Sequence, residues 1–205
     1  MSSTIPSLDP ALAERLEAVC LEIEADPARI RVRFPAAARE IGRTPGTSAD
    51  VGQDRLEDRV RVRLLEALRR AVPDVERRNT EVHDLYRFGD ADERRAVLLG
   101  LDRLDLDDRA LDLVHDALRT NDPRLVAAAL GPYAATHLEA ADWRQGVLKC
   151  LFVGVPLALV TGLDDRADAE LSRMVGDYAA ERRAAGRSVP DDALPLLLPV
   201  RPSES

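Results

Sequence analysis

Three times in this chain an aspartate is followed at once by a proline and then by a helix-spaced apolar run, at Asp9-Pro10, Asp26-Pro27 and Asp122-Pro123. An aspartate at the N-cap accepts the free amide hydrogens of a first helical turn, and a proline at the next position lacks one of those orphan donors. Three further acidic openings put negative charge where a helix dipole favours it: Asp90-Ala-Asp-Glu-Arg, Asp107-Asp-Arg-Ala and Asp164-Asp-Arg-Ala. Asp142-Trp-Arg-Gln145 has the spacing of a reciprocal cap. These signals predict helix starts near 74, 90, 107, 122, 142 and 164, with short connections between them.

The apolar spacing between the starts is helical: Leu12, Leu16, Val19 and Ile23, then Leu56, Val60, Leu64 and Leu68, then Ala167, Leu171, Met174 and Tyr178. Arg29 to Phe34 and Arg59 to Arg63 alternate with a period of two, but each lies inside a longer helical pattern and is read as helix. Aromatic residues make up only 3% of the chain, so the core rests on Leu, Val and Ala, which suits helix on helix. The expected fold is all-α, with antiparallel helix pairs stacked as an irregular HEAT-like α-solenoid or bundle. Its 205 residues form a single all-α domain in this reading. Residues 1–42 are an N-terminal helix pair, 43–53 a Pro-, Gly- and Ser-containing loop, 54–194 the main helical body and 195–205 a frayed tail.

The net charge of -8 repels nucleic acid, so none is expected as a partner. Cys20 and Cys150 stand far apart in apolar helical patterns and read as buried hydrophobes rather than a disulfide. The first residues have neither a basic start nor an apolar run, and Val147 to Leu163 is interrupted by Lys149, Gly154, Pro156 and Gly162. No signal peptide and no membrane span are expected, and the location is read as cytoplasmic.

The chain has 28 arginines and one lysine, Lys149. Val147, Leu148, Leu151, Phe152 and Val153 leave its helix apolar nearly all round, a pattern that predicts burial. Helical spacing gives Lys149 the same face as Asp142, Gln145 and Phe152, so its ammonium snorkels out, meets a carboxylate or faces a cavity. A structural, paired lysine is the commoner outcome; a desolvated lysine can also act as a base or hold a phosphate or carboxylate.

Other motifs carry less. Asp164-Asp165-Arg-Ala-Asp168 spells an aspartate-rich, Mg²⁺-binding pattern, but a helix start wants acid there anyway. His83, His115 and His137 form no two-ligand helical pair, and they are read as interhelical hydrogen bonders or surface residues; no metal site and no cofactor are expected. Arg55, Arg59, Arg63 and Arg70, interleaved with Asp54, Glu57, Asp58 and Glu66, read as a solvated, salt-bridged helix face. Trp143 stands at a helix start, as a packing staple or the floor of a pocket.

One segment resembles a known family. Trp143-Arg-Gln-x-Val-Leu-Lys149-Cys-Leu-Phe152-Val-Gly154-x-Pro156-Leu, Gly162-Leu-Asp164-x-Arg166-Ala-x-x-Glu170-Leu and Asp177-Tyr178-Ala-x-Glu181-Arg182-x-Ala-Ala-Gly186-Arg187 resemble the EboA family, whose members are encoded in the bacterial ebo gene cluster. The likeness is strong over 120–190, weaker over 74–119, where Asp84-Leu-Tyr86 and Leu118-Arg-x-Asn121 suit it, and loose over the first 70 residues. It departs from the family at Asp168 and Gly131, where Asn is usual, and Asp168 makes the aspartate-rich metal pattern look accidental. The resemblance implies a helical, cytoplasmic accessory protein of a cluster that makes or moves a membrane-destined secondary metabolite.

Two functions are therefore expected to compete. In the first, an adaptor binds other proteins of the same gene cluster or a small anionic metabolite, with Lys149 as anchor, Trp143 and Tyr178 as walls, and Arg166 and Arg182 as rim. In the second, an isomerase- or lyase-type enzyme acts on a small phosphate- or carboxylate-bearing metabolite, with Lys149 as base or Schiff-base residue and Tyr178 or Glu181 as acid. No catalytic set is legible in the sequence.

Overall fold

The computed structural model describes residues 9–40, 42 and 51–197. It is all-α and bundle-like, with no strand among the described residues. The chain divides into two compact units, residues 1–113 and 114–205.

The first unit contains α1 (Pro10–Ala25), α2 (Ile30–Glu40), α3 (Leu56–Ala71), α4 (Val75–Phe88) and α5 (Ala91–Gly100). The boundary falls within α6 (Leu111–Arg119). Asp9 caps α1 by accepting the Ala11 amide hydrogen, and Asp26 does the same for Ala28 at a short 3-10 turn leading into α2. Asp90 and Glu93 close a full capping box on α5. The helical reading of 29–34 and 59–63 holds for Ile30 onward and throughout α3. α3 packs against α1, α2 and α5, with Val60, Leu64, Leu65, Ala67 and Leu68 fully buried. Gly100 lets α5 approach α3 so closely that a Cβ there would lie 2.7 Å from Leu65 Cδ1.

The expected solvated face of α3 is corrected here. Arg63 and Arg70 do reach outward, to Glu66 and Glu24, but Arg55, Glu57, Asp58 and Arg61 are only 3–5% exposed. α5 and α2 cover them: Arg95 donates to Asp58 and to the Gln53 carbonyl, Arg55 to Asp92 at 3.1 Å, and Arg61 to the Phe34 carbonyl at 3.1 Å. A single-helix pattern cannot tell a charged face turned to water from one paired with charges on a neighbouring helix. Arg78 is buried too, and its guanidinium donates to the carbonyls of Val72, Pro73, Leu104 and Asp105, tying the end of α3 to the loop before α6.

That loop holds a second correction. Asp105 and Asp107 have φ of 46° and 50°, the left-handed region that short polar side chains tolerate, so Asp107 to Ala110 turn and α6 begins only at Leu111.

The second unit contains α7 (Pro123–Ala129), α8 (Pro132–His137), α9 (Ala140–Val153), α10 (Leu163–Arg166) and α11 (Ala169–Ala184), with 3-10 segments at Leu157–Leu159 and Asp191–Leu197. α9 packs against α7 and α11, and the last segment lies on α11. Gly154, at φ +76°, ends α9 in a left-handed cap that lets Val155 N–H reach the Cys150 carbonyl. The predicted Asp142–Gln145 cap does not form, because α9 already begins at Ala140 and Asp142 stands inside its first turn. Of the predicted frayed tail, Pro195–Leu197 continue the 3-10 segment and the rest lies outside the described residues, as do 43–50 of the predicted loop. Cys20 and Cys150 are buried free thiols.

Candidate functional site

α9 turns Trp143, Gly146, Val147, Cys150 and Leu151 inward. Asp142, Gln145 and Phe152 face out, so the expectation of a helix buried all round is corrected: Phe152 is 64% exposed. The reason is the 3.6-residue period, which carries Phe152 to the side opposite Trp143 whatever its hydrophobicity. Lys149 sits half-buried on the flank, as its shared spacing with Gln145 and Phe152 predicts.

Its Nζ donates to Asn121 Oδ1 at 2.7 Å, and among the described residues no carboxylate lies within ion-pair distance of it. Arginines here typically are neutralised: Arg33 joins Glu22 and Glu40, Arg144 joins Asp168, and Arg173 joins Glu170 and Asp177. Asn121 stands in a tight connection between α6 and α7. Thr120 Oγ1 donates to the Ala117 carbonyl and accepts from Asp122 N–H, and Asp122 in turn caps α7. Sequence reasoning did not find Asn121 as the partner of Lys149; its signals were its place in the family-like Leu118-Arg-x-Asn121 stretch and just before an Asp-Pro helix start.

Tyr178, on α11, is buried, and its hydroxyl donates to the Leu151 carbonyl at 3.1 Å. The Phe152 ring meets it edge-on, with centroids 5.0 Å apart, and the Arg182 guanidinium lies 5.7 Å over the Tyr178 ring. Arg182 Nε also donates to the Ser188 carbonyl, securing the chain just beyond α11. Glu181 is exposed.

Trp143 and Arg166 form a separate pair. Trp143 is 1% exposed, and among the described residues its indole Nε1–H has no hydrogen-bond partner, so the ring contributes area and a π face. Arg166 lies 4.9 Å over that ring and donates to the carbonyls of Ala134, Ala135 and Leu138, closing the C-terminal end of α8 as a helix dipole favours. Burial pulls the Arg166 guanidinium below its ordinary pKa. The predicted residues thus fall into three groups: Lys149 with Asn121; Tyr178 with Phe152 and Arg182; Trp143 with Arg166.

Asp168 is occupied by structure. It caps α11 through Leu171 N–H and takes two donors from Arg144, which hold its carboxyl below the usual range. Among the described residues no cluster of His, Cys, Asp and Glu could hold a metal ion. His83 bridges the Asn79 carbonyl and Asp112, His137 stacks on Tyr133, and His115 lies 3.8 Å from Asp142. Burial, helped by Asp192, pushes the Cys150 thiol up to about 12, leaving it protonated and unreactive at neutral pH.

Fold and side-chain chemistry together define an all-α, bundle-like protein with no membrane-spanning helix among its described residues. The chain belongs to the EboA family: the family model described as "Metabolite traffic protein EboA" matches residues 52–197, which include Asn121 and all of the predicted site residues. No curated protein and no solved structure matches it.

Proposed function

We propose that this protein is a non-catalytic, cytoplasmic adaptor in the traffic of a secondary metabolite, and that the outer face of α9 and α11 receives a partner protein of the same gene cluster or a small anionic intermediate. The observation that carries the reading is Lys149, whose ammonium is held by a neutral amide oxygen, without a carboxylate among the described residues, on the same helix face as an exposed aromatic ring. The family description, a metabolite traffic protein, supports it. Arg182 and Tyr178 stiffen the aromatic side of the face, while Trp143 and Arg166 hold α8 and α9 beneath it.

The enzymatic alternative, with Lys149 as base or Schiff-base residue, needs an acid beside it. Tyr178 has its proton committed to the Leu151 carbonyl and Glu181 is open to water, which favours binding over turnover.

Native mass spectrometry of protein purified from a host carrying its gene neighbourhood tests the proposal. A small molecule or cluster protein should accompany the wild type and be lost from Lys149→Met at matched folding. A bare wild-type protein counts against an adaptor role.

A further inference from the structure

We infer that Lys149 and Asn121 form an oxyanion clamp, and that with Phe152 they select an amphiphilic acid, a molecule with one carboxylate or phosphate joined to a flat apolar body. The inference rests on the reading that the α9 face receives cargo.

The hydrogen-bond valence of the pair is one-sided. A lysine ammonium has three donors and no acceptor, so Asn121 must present its oxygen to it, as the 2.7 Å contact records. The amide NH₂ of Asn121 is then directed away from Lys149, and the ammonium retains two more hydrogens. Apart from the second lone pair of Asn121 Oδ1, what the pair has left to offer is donors, and the complementary group is an acceptor-rich oxyanion. A neutral amide also leaves the lysine's charge in place, whereas a carboxylate partner would cancel it. Asn121 is pre-positioned by the Thr120 and Asp122 hydrogen bonds on either side, so little ordering is required on binding.

Phe152 supplies the second half. Three residues after Lys149 on one helix, it lies on the neighbouring stretch of the same face, about 5–6 Å away between Cβ atoms. Its ring is 64% exposed yet braced edge-on against Tyr178, itself fixed by Leu151 and Arg182. A braced, exposed ring next to a donor-only cation fits a ligand whose apolar body begins close to its acid. An inorganic anion would leave the ring uncovered.

Lys149 is the only lysine, so protein grown on ¹³Cε-lysine gives one side-chain signal from the site. That signal is followed during titration with naphthalene-2-carboxylate, 2-naphthyl phosphate, naphthalene-2-carboxamide and inorganic phosphate. Both naphthyl acids should move it saturably, and the tighter of the two identifies the acid group. The carboxamide and inorganic phosphate should each bind at least about tenfold more weakly, for want of charge and of an apolar body respectively. Phe152→Ala should bring the naphthyl acids down to the level of their bare anion. Asn121→Asp, which gives Lys149 a carboxylate, should weaken them about tenfold or more with the fold intact by circular dichroism. Equal binding of acid and carboxamide, indifference to Phe152→Ala or Asn121→Asp, or no response to either acid overturns the assignment. If the acids fail while a native cargo is still lost from Lys149→Met, the acid assignment falls and the adaptor reading stands. If the acids bind as described while the native protein is bare, the clamp stands and the adaptor reading falls.

Discussion

In the first unit Arg55, Glu57, Asp58, Arg61, Arg78 and Arg95 lie inside the protein; in the second, every buried side chain among the described residues is apolar or aromatic. The buried arginines of the first unit donate to carboxylates and carbonyls on neighbouring elements. The second unit keeps Lys149 at the surface, where an amide oxygen holds it and, among the described residues, no carboxylate pairs with it. Charge therefore fixes how α3 and α5 pack in one unit, and at Lys149 in the other it is left without a carboxylate among the described residues. Burying an ion is costly, and the cost is offset only when its partners are complete. Disturbing a charge should accordingly cost stability in the first unit and binding in the second.

The largest effect belongs to Asp58. Asp58→Ala takes the Asp58 carboxylate away from the buried Arg95 guanidinium and should lower unfolding stability by about 3–5 kcal/mol in urea titrations. The double variant Asp58→Leu/Arg95→Met removes both charges and should recover most of the loss. A single variant as stable as wild type would break the comparison.

Alkaline pH probes the apolar interior of the second unit. The Cys150 thiol is raised from 9.0 to about 12 in the folded protein, so its stabilising contribution is complete below 9 and disappears as pH climbs toward 12. At about pH 10.5 the wild type should have lost about 2 kcal/mol more than Cys150→Ala has, relative to neutral pH, in matched urea titrations.

Gly146 tests the same core by size. A Cβ there would lie 2.8 Å from Leu130 Cδ2, and Leu130 is fully buried. The helix-propensity gain of about 1 kcal/mol from Gly146→Ala is outweighed by about 1–3 kcal/mol of crowding, for a net loss of about 1 kcal/mol. Thermal unfolding measures it.

The smallest change in stability should come from Lys149→Met, within about 0.5 kcal/mol of wild type, since one exposed hydrogen bond is lost. A loss of several kcal/mol would make Lys149 a structural residue of the same kind as Arg95.

The sequence revealed features whose causes are local. Asp9, Asp26, Asp90 and Asp122 cap what they were expected to cap, because a helix start is decided within four residues. The shared face of Gln145, Lys149 and Phe152 followed from helical spacing alone. Asp107 misled because an acidic pair looks alike before a helix and in a left-handed turn, and Asp142 because a cap is defined by where the chain enters the helix. Contacts across long sequence separations were hidden. Nothing near Asp58 announces Arg95, and nothing near Lys149 announces Asn121, although both pairs decide what their charges do.

One contact near the end of the described chain bears on the order in which the two units can form. Asp192 accepts the Leu157 amide hydrogen at 2.9 Å, and Ala193 beside it is fully buried. During synthesis the Arg78 anchor is complete once Asp105 has left the ribosome, and the Asp58–Arg95 pair still earlier. The second unit must wait for residues 192 and 193 before the 3-10 segment after α9 is fastened and its core closed. The first unit can thus finish folding on the ribosome while α9 and α11 are still being made, and a stall late in translation would leave an ordered first unit carrying an unfinished second one.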